Sequence, residues 1–269
     1  MPRLRRPDGV ELHTEQRGEG ALVALAPYWS GHPGVYEGLL SELARDRRVL
    51  TLDARGTGES TRAGPYDMAT DCADLEAVLE DAGGQAVVIG TADGANRAVH
   101  VAARRADLVA AVAILGGAPF ARAHFEGGEG MVASDAVVGA FIEMLERDYR
   151  GALRTLLSAT NKQMSDDELR ERVAFQLTYC PQEAGAARVR AWAEDDPTAS
   201  AREIADRLWI FAAPDVAGPW LPPAEERKGL TEKLMPRAHV EWAEAGTGPI
   251  SRPDLAAAAI RRITETPRT

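Results

Sequence analysis

The sequence predicts an α/β fold: a mostly parallel sheet covered by helices on both faces, with an inserted helical cap. Three observations predict it. Short continuous apolar runs such as "ALVALAP" (21–27), "QAVVIGT" (85–91) and "LVAAVAILGG" (108–117) recur along the 269 residues. Strands buried on both faces read this way, whereas half-solvated strands alternate apolar with polar. Helix-patterned segments separate these runs, the order of βαβ units. From 118 to about 205 the alternation stops and the pattern is helical almost throughout. It resumes at "LWIFAAP" (208–214). The expected division is a core of residues 1–118 and 206–269 and a cap of residues 119–205.

In chain order, "GVELHTEQRGEG" alternates and ends in glycine turn signals, which reads as a first hairpin or edge strand. After the run at 21–27, "GVYEGLLSELARD" (34–46) spaces Val35, Leu39, Leu40 and Leu43 as one helix face. "RRVLTLDARGTGES" is a strand followed by a Gly-rich turn, and "DMATDCADLEAVLEDAGG" (67–84) is a helix with a glycine stop. The run at 85–91 is followed by a helix over 93–106, and then by the run at 108–117. In the cap, "DAVVGAFIEMLERDYRGALRTLLSA" is one long amphipathic stretch. "SDDELRERVAFQLTYC" and "SAREIADRL" each open with a capping box, Ser165 to Glu168 and Ser200 to Glu203. "AHVEWAEAG" (238–246) reads as the last strand and "RPDLAAAAIRRI" as the last helix.

Composition narrows the function classes. Hydrophobic residues make up 45% and charged residues 27%, with a net charge of -10. That balance fits a soluble domain and argues against nucleic acid or an anionic membrane as partner. No apolar run reaches spanning length and no signal core follows the basic N-terminus, so a cytoplasmic location is expected. Cys72 and Cys180 form neither a disulfide framework nor a metal-ligand spacing, and no metal is expected. No cofactor is expected either: the turn at Gly56 and Gly58 lacks the third glycine and acidic partner of a dinucleotide site. The Ala, Arg and Gly richness suggests a bacterial source of high GC content.

Two motifs carry a family resemblance. "DARGTGES" (Asp53 to Ser60) matches D-x-R-G-x-G-x-S after a strand. "GTADG" (Gly90 to Gly94) has the outline of G-x-S-x-G, the strand–turn–helix elbow that presents a nucleophile, with Ala92 in the serine position. On these motifs, and over nearly its whole length, the chain resembles the α/β-hydrolase superfamily in its cap-bearing branch. The resemblance implies the α/β-hydrolase fold. It implies that Asp215 stands at the acid position, and that Pro249, in a shortened loop after Gly246 to Gly248, stands where a histidine is usual. It implies oxyanion donors at the N–H groups of Tyr28 and Asp93, beside an Asp93 carboxylate that opposes negative charge. His13, His100 and His239 are poor substitutes by position, and His124 falls in the cap.

An acyl-enzyme route needs a nucleophile and a base. With neither evident, the expectation is a degenerate member with a cap-covered pocket for a small-molecule or peptide ligand, as monomer or homodimer. Its expected chemistry is isomerisation, epimerisation or cyclisation in natural-product biosynthesis by substrate positioning or assistance. A ligand-binding pseudoenzyme or a hydrolase trapped by a Ser-to-Ala change stays open. Asp93, His32 and Asp215 are the candidate catalytic residues, and Tyr28, Trp29, Thr91, Ala92 and Trp220 the candidate pocket. Trp29 and Trp220 equally suit packing, Asp93 suits a helix N-terminus, and "DARGTGES" suits a structural turn.

Overall fold

The computed structural model describes residues 3–116, 122–125, 128–131, 135–160, 164–212, 224–242, 244 and 248–265. The alternating first segment forms an edge hairpin, β1 (Arg3–Arg5) antiparallel to β2 (Glu11–Arg17). Then come β3 (Leu22–Leu25), α1 (Glu37–Leu43), β4 (Arg48–Leu52), α2 (Met68–Ala82), β5 (Ala86–Gly90), α3 (Gly94–Arg104) and β6 (Val109–Gly116). An insert follows: a hairpin of β7 (Arg122–Phe125) and β8 (Gly128–Met131), then α4 (Asp135–Arg147), α5 (Tyr149–Thr160), α6 (Asp166–Tyr179), α7 (Gln182–Glu194) and α8 (Thr198–Glu203). The chain returns through β9 (Leu208–Ala212), α9 (Ala224–Leu234), β10 (His239–Trp242) and α10 (Pro253–Glu265).

Eight strands form one sheet in the order β1-β2-β4-β3-β5-β6-β9-β10, parallel from β4 onward. The apolar runs are continuous because both faces are buried. Leu22, Ala24 and Val88 point into a cluster with α2 and α3, while Val23, Leu25, Val87 and Ile89 point into another with α1 and α10. Each of these leucine, valine and isoleucine side chains, fully buried, contributes roughly 2 kcal/mol. A polar residue at any of these positions would lose that and strand a polar group.

Two local readings are corrected. Residues 122–125 and 128–131 pair as antiparallel strands rather than forming helix. Gly127-Gly128 is a turn signal that the helical context of the segment overrode. Ser165 does close a capping box with Glu168, but Ser200 does not start a helix. Pro197 caps α8, and Ser200 lies inside it with its Oγ 3.0 Å from His100 Nδ1. The "DARGTGES" turn is a structural joint. Ser60 Oγ donates to the Asp53 carbonyl at 2.6 Å and accepts the His13 N–H at 2.8 Å, and the Arg55 guanidinium grips Asp74 at 2.7 and 2.9 Å. No helix among the described residues is long and apolar enough to cross a membrane.

Candidate active site

The last residue of β5, Gly90, and the first of α3, Gly94, bracket a sharp turn. A Cβ on Gly90 would lie 2.7 Å from Ala95 Cα, and one on Gly94 would lie 2.9 Å from the Pro27 carbonyl oxygen. Only glycine permits that approach of strand, helix and the loop after β3. Between them Ala92 has φ 46°, the left-handed region, which costs a side-chain-bearing residue about 1–3 kcal/mol. Thr91 and Asp93 are buried on either side, while Ala92 is exposed. The turn therefore displays one side chain at the head of α3, and here that side chain is a methyl group.

The loop after β3 faces this turn. Tyr36 O–H lies 2.9 Å from Thr91 Oγ1, and the Tyr28 ring packs edge-on against Tyr36. Burial pushes both phenol groups up, Tyr28 most, so both are neutral hydrogen-bonding groups. Among the described residues, neither the Tyr28 N–H nor the Asp93 N–H donates a backbone hydrogen bond. Trp29 packs edge-on against Phe141 within the apolar core of the insert, which is the packing role of the two open to it.

Asp93 is not a free acid or base. One carboxylate oxygen accepts the Trp29 N–H at 2.8 Å and the other binds Arg97 at 2.5 Å. It makes no side-chain cap on α3. Arg97 also donates to Asp71 at 2.8 and 3.0 Å, and Asp71 takes two further bonds from Arg188 on α7, at 2.8 and 3.0 Å. All four side chains are at most 3% exposed. Burial alone would raise the Asp71 carboxyl, but Arg188 and Arg97 reverse this and bring it to about 2. Two guanidinium groups and two carboxylates make a neutral set, so the expected repulsion of an oxyanion by Asp93 is offset by Arg97.

His32 is held elsewhere. Its Nδ1 accepts the Gly34 N–H at 2.9 Å, capping a single 3-10 turn, and its ring abuts Phe175 and Tyr179. It lines a separate cavity with His13 and Asp53. The structure thus places Thr91, Ala92 and Asp93 at the turn with Tyr28 reaching it through Tyr36; the Tyr28 O–H also donates to the His32 carbonyl at 3.4 Å, while the His32 imidazole lines the other cavity, and Asp215 and Trp220 lie outside the described residues. Of the other histidines with described side chains, His13 pairs with Asp53, His100 with Asp195 and Ser200, and His239 stacks on Trp209. Pro249 is half-buried in a turn before α10. Among the described residues no group of three or more His, Cys, Asp or Glu side chains is arranged to hold a metal ion.

Residues 27–201 match the family model described as alpha/beta hydrolase fold, which is more than half of the chain. The chain belongs to the α/β-hydrolase fold family. It is 27% identical over 170 residues to the pimeloyl-[acyl-carrier protein] methyl ester esterase of Nitrosomonas europaea, covering 62% of this chain and 64% of that protein. The chain therefore spans a little under two thirds of that relative's length. A bromoperoxidase from Bacillus anthracis superposes with a TM-score of 0.79 at 19% identity, covering 96% of each chain. An esterase from Exiguobacterium antarcticum does so with a TM-score of 0.78 at 16% identity, covering 98% of this chain and 99% of its own.

These findings correct the functional expectation. The relatives of this α/β-hydrolase-fold chain include proteins named as esterases and none of the three is named for isomerisation, epimerisation or cyclisation. The expectation rested on the absence of a nucleophile at Ala92 and of a histidine at Pro249, and the names of the relatives point to hydrolysis instead.

Proposed function

We propose that the chain hydrolyses carboxylic esters or closely related acyl compounds above the elbow, with water rather than a side chain attacking the acyl carbon. Water's oxygen bonds to the acyl carbon, the ester C–O bond breaks, and the alcohol leaves with a proton from that water. The observation that carries this reading is the elbow itself: residue 92 is left-handed and exposed at the head of α3, and among the described residues neither the Tyr28 N–H nor the Asp93 N–H donates a backbone hydrogen bond. Such donors stabilise charge that develops on an acyl oxygen. The small Ala92 side chain leaves room for water where a serine oxygen would stand. Neutralisation of Asp93 by Arg97 supports the same reading, and so does the methyl ester in the name of the Nitrosomonas europaea relative.

The test is turnover of p-nitrophenyl acetate and butyrate, combined with exposure to a serine-directed fluorophosphonate. The expected result is slow hydrolysis, no covalent adduct, and loss of turnover in Ala92→Leu, which fills the space. Turnover no faster than with heat-denatured protein, or unchanged in Ala92→Leu, refutes the reading. A fluorophosphonate adduct refutes the water mechanism and places a nucleophile elsewhere.

A further inference from the structure

The loop after β3 is held one peptide unit at a time. The Pro27 carbonyl accepts an Arg97 N–H at 3.2 Å, and the Trp29 N–H donates to Asp93 at 2.8 Å. Those two bonds come from the head of α3. The next two come from the insert. The Cys180 thiol, at the end of α6, donates to the Trp29 carbonyl at 3.5 Å. Gln176 Nε2, one turn earlier, donates to the Ser30 carbonyl, and to Ser30 Oγ at 3.0 Å. Gly31 shares a peptide unit with that carbonyl and returns its N–H to the Tyr28 carbonyl at 3.1 Å. A peptide unit is planar, so fixing one edge fixes the other. The held units run in series from Pro27 to Gly31, and the Tyr28 N–H is the edge opposite the Pro27 carbonyl.

Stability alone does not call for glutamine at 176. The side chain is 4% exposed, and Leu169 and Val173, earlier on the same helix, belong to the apolar core of the insert. Methionine fills a similar space with no hydrogen-bonding demand. Gln176 Oε1 is buried without a hydrogen-bond partner among the described residues, and a stranded acceptor destabilises a fold. Turning the amide over does not remove that penalty, because the buried Ser30 carbonyl accepts only a donor. What the side chain supplies is a fixed direction for the Ser30 carbonyl. Its own base is rigid: the Tyr179 O–H donates to Asp53 at 2.6 Å, and the Tyr179 carbonyl accepts the Gly58 N–H at 2.8 Å.

We propose that Gln176 is a positioning residue for the elbow: from the insert it fixes the loop that presents the Tyr28 N–H to the acyl oxygen, a role that rests on the ester reading above. Core and insert then complete one site, with Arg97 and Asp93 holding the loop from one side and Cys180 and Gln176 from the other. A donor to a developing oxyanion acts through its preorganisation, so loosening the loop costs rate rather than substrate affinity.

Gln176→Met tests it on the whole chain. Amide hydrogen exchange is expected to quicken at least about tenfold at Gly31, with β5 and α3 at parent rates. The melting temperature is expected to stay within about 2 °C of the parent's, because losing the stranded Oε1 offsets losing the Nε2 bond. With p-nitrophenyl butyrate, kcat is expected to fall at least about tenfold at a KM within about twofold of the parent's. Gln176→Glu supplies a rescue. Its neutral carboxyl donates one O–H to the Ser30 carbonyl and its carboxylate donates none, so its kcat relative to the parent's is expected to rise as pH falls from about 8 to 5. An unchanged kcat in Gln176→Met overturns the proposal. So does a loss of kcat matched by a lowered melting temperature and without rescue in Gln176→Glu, which makes Gln176 a packing residue only. A parent chain without turnover refutes the ester reading, and unchanged Gly31 exchange in Gln176→Met would then overturn the hold on the loop as well.

Discussion

Replacing Asp71 by Asn removes one negative charge from between two arginines that have no access to water. In the native chain Asp71 receives four N–H···O contacts of 2.8 to 3.0 Å, two from Arg97 and two from Arg188. Asn keeps the shape, but it offers one acceptor oxygen and turns an N–H pair toward Arg donors. The neutral set becomes a buried cluster of net charge +1. Removing one partner of a buried ion pair costs about 3–5 kcal/mol, because the remaining charge cannot recover its hydration. The joint also holds α7 of the insert against α2 of the core, so the loss falls on a tertiary contact rather than on one helix. Urea denaturation followed by circular dichroism reads this directly: the midpoint of Asp71→Asn is expected to fall by at least about 1 M. The double variant Asp71→Asn with Arg188→Met, which removes the unmatched charge, is expected to be more stable than the sum of the two single losses. A loss under about 1 kcal/mol in Asp71→Asn, or simple additivity in the double variant, would refute the claim that this network is a buried, mutually neutralised unit.

Acid titration of native stability has a defined window. Because the Asp71 carboxyl lies at about 2 when folded and near 3.8 when not, about 2 kcal/mol of stability is fully present above pH 4 and is lost as pH falls to 2. Equilibrium unfolding at a series of pH values checks this, and Asp71→Asn is expected to show a shallower acid limb. At the elbow, Ala92→Gly relieves the left-handed strain at φ 46° and is expected to raise the melting temperature by about 2–4 °C; a fall contradicts the assigned backbone. Burial raises the Cys72 thiol to about 12 and raises Cys180 as well, so neither is expected to react with a thiol reagent at pH 8 until denaturant is added. Tyr179→Phe removes the O–H bonded to Asp53 and is expected to cost about 1–3 kcal/mol, read by thermal melting, as the charged acceptor loses a donor.

The parallel strands were legible because burial on both faces forces continuous apolar runs, and Val87, Val88 and Ile89 leave no other reading. The elbow was legible because both glycines are steric necessities that survive whatever residue 92 is. The hairpin at 122–131 was not, since ten residues give helix periodicity and strand alternation too little length to differ. Nor was the role of Ser200, whose resemblance to a cap is local while its partner, His100, is 100 residues away. Arg97 and Arg188 escaped notice for a related reason. An arginine on a helix ordinarily faces solvent, and only tertiary packing turns it inward. One signal existed for Arg97, its position four residues after Asp93, where helix side chains meet. None existed for Arg188, which meets Asp71 across 117 residues.

The elbow's conformation is set from beside residue 92 rather than by it. A left-handed Ala is strained, and glycine at the same position would relax that strain without loss of any side-chain contact. The conformation persists because Asp93 is held from two directions, by the Trp29 N–H and by Arg97, and Arg97 is fixed in turn by Asp71 and by the Pro27 carbonyl at 3.2 Å. These bonds tie the loop after β3, the head of α3 and α2 to one another around the turn. Gly90 and Gly94 allow the close approach, and the ion network enforces it. The shape that displays residue 92 to a ligand is therefore independent of what that residue is. Under the proposed hydrolysis, the N–H groups of Tyr28 and Asp93 serve the acyl oxygen over Ala92 and water supplies the attacking oxygen.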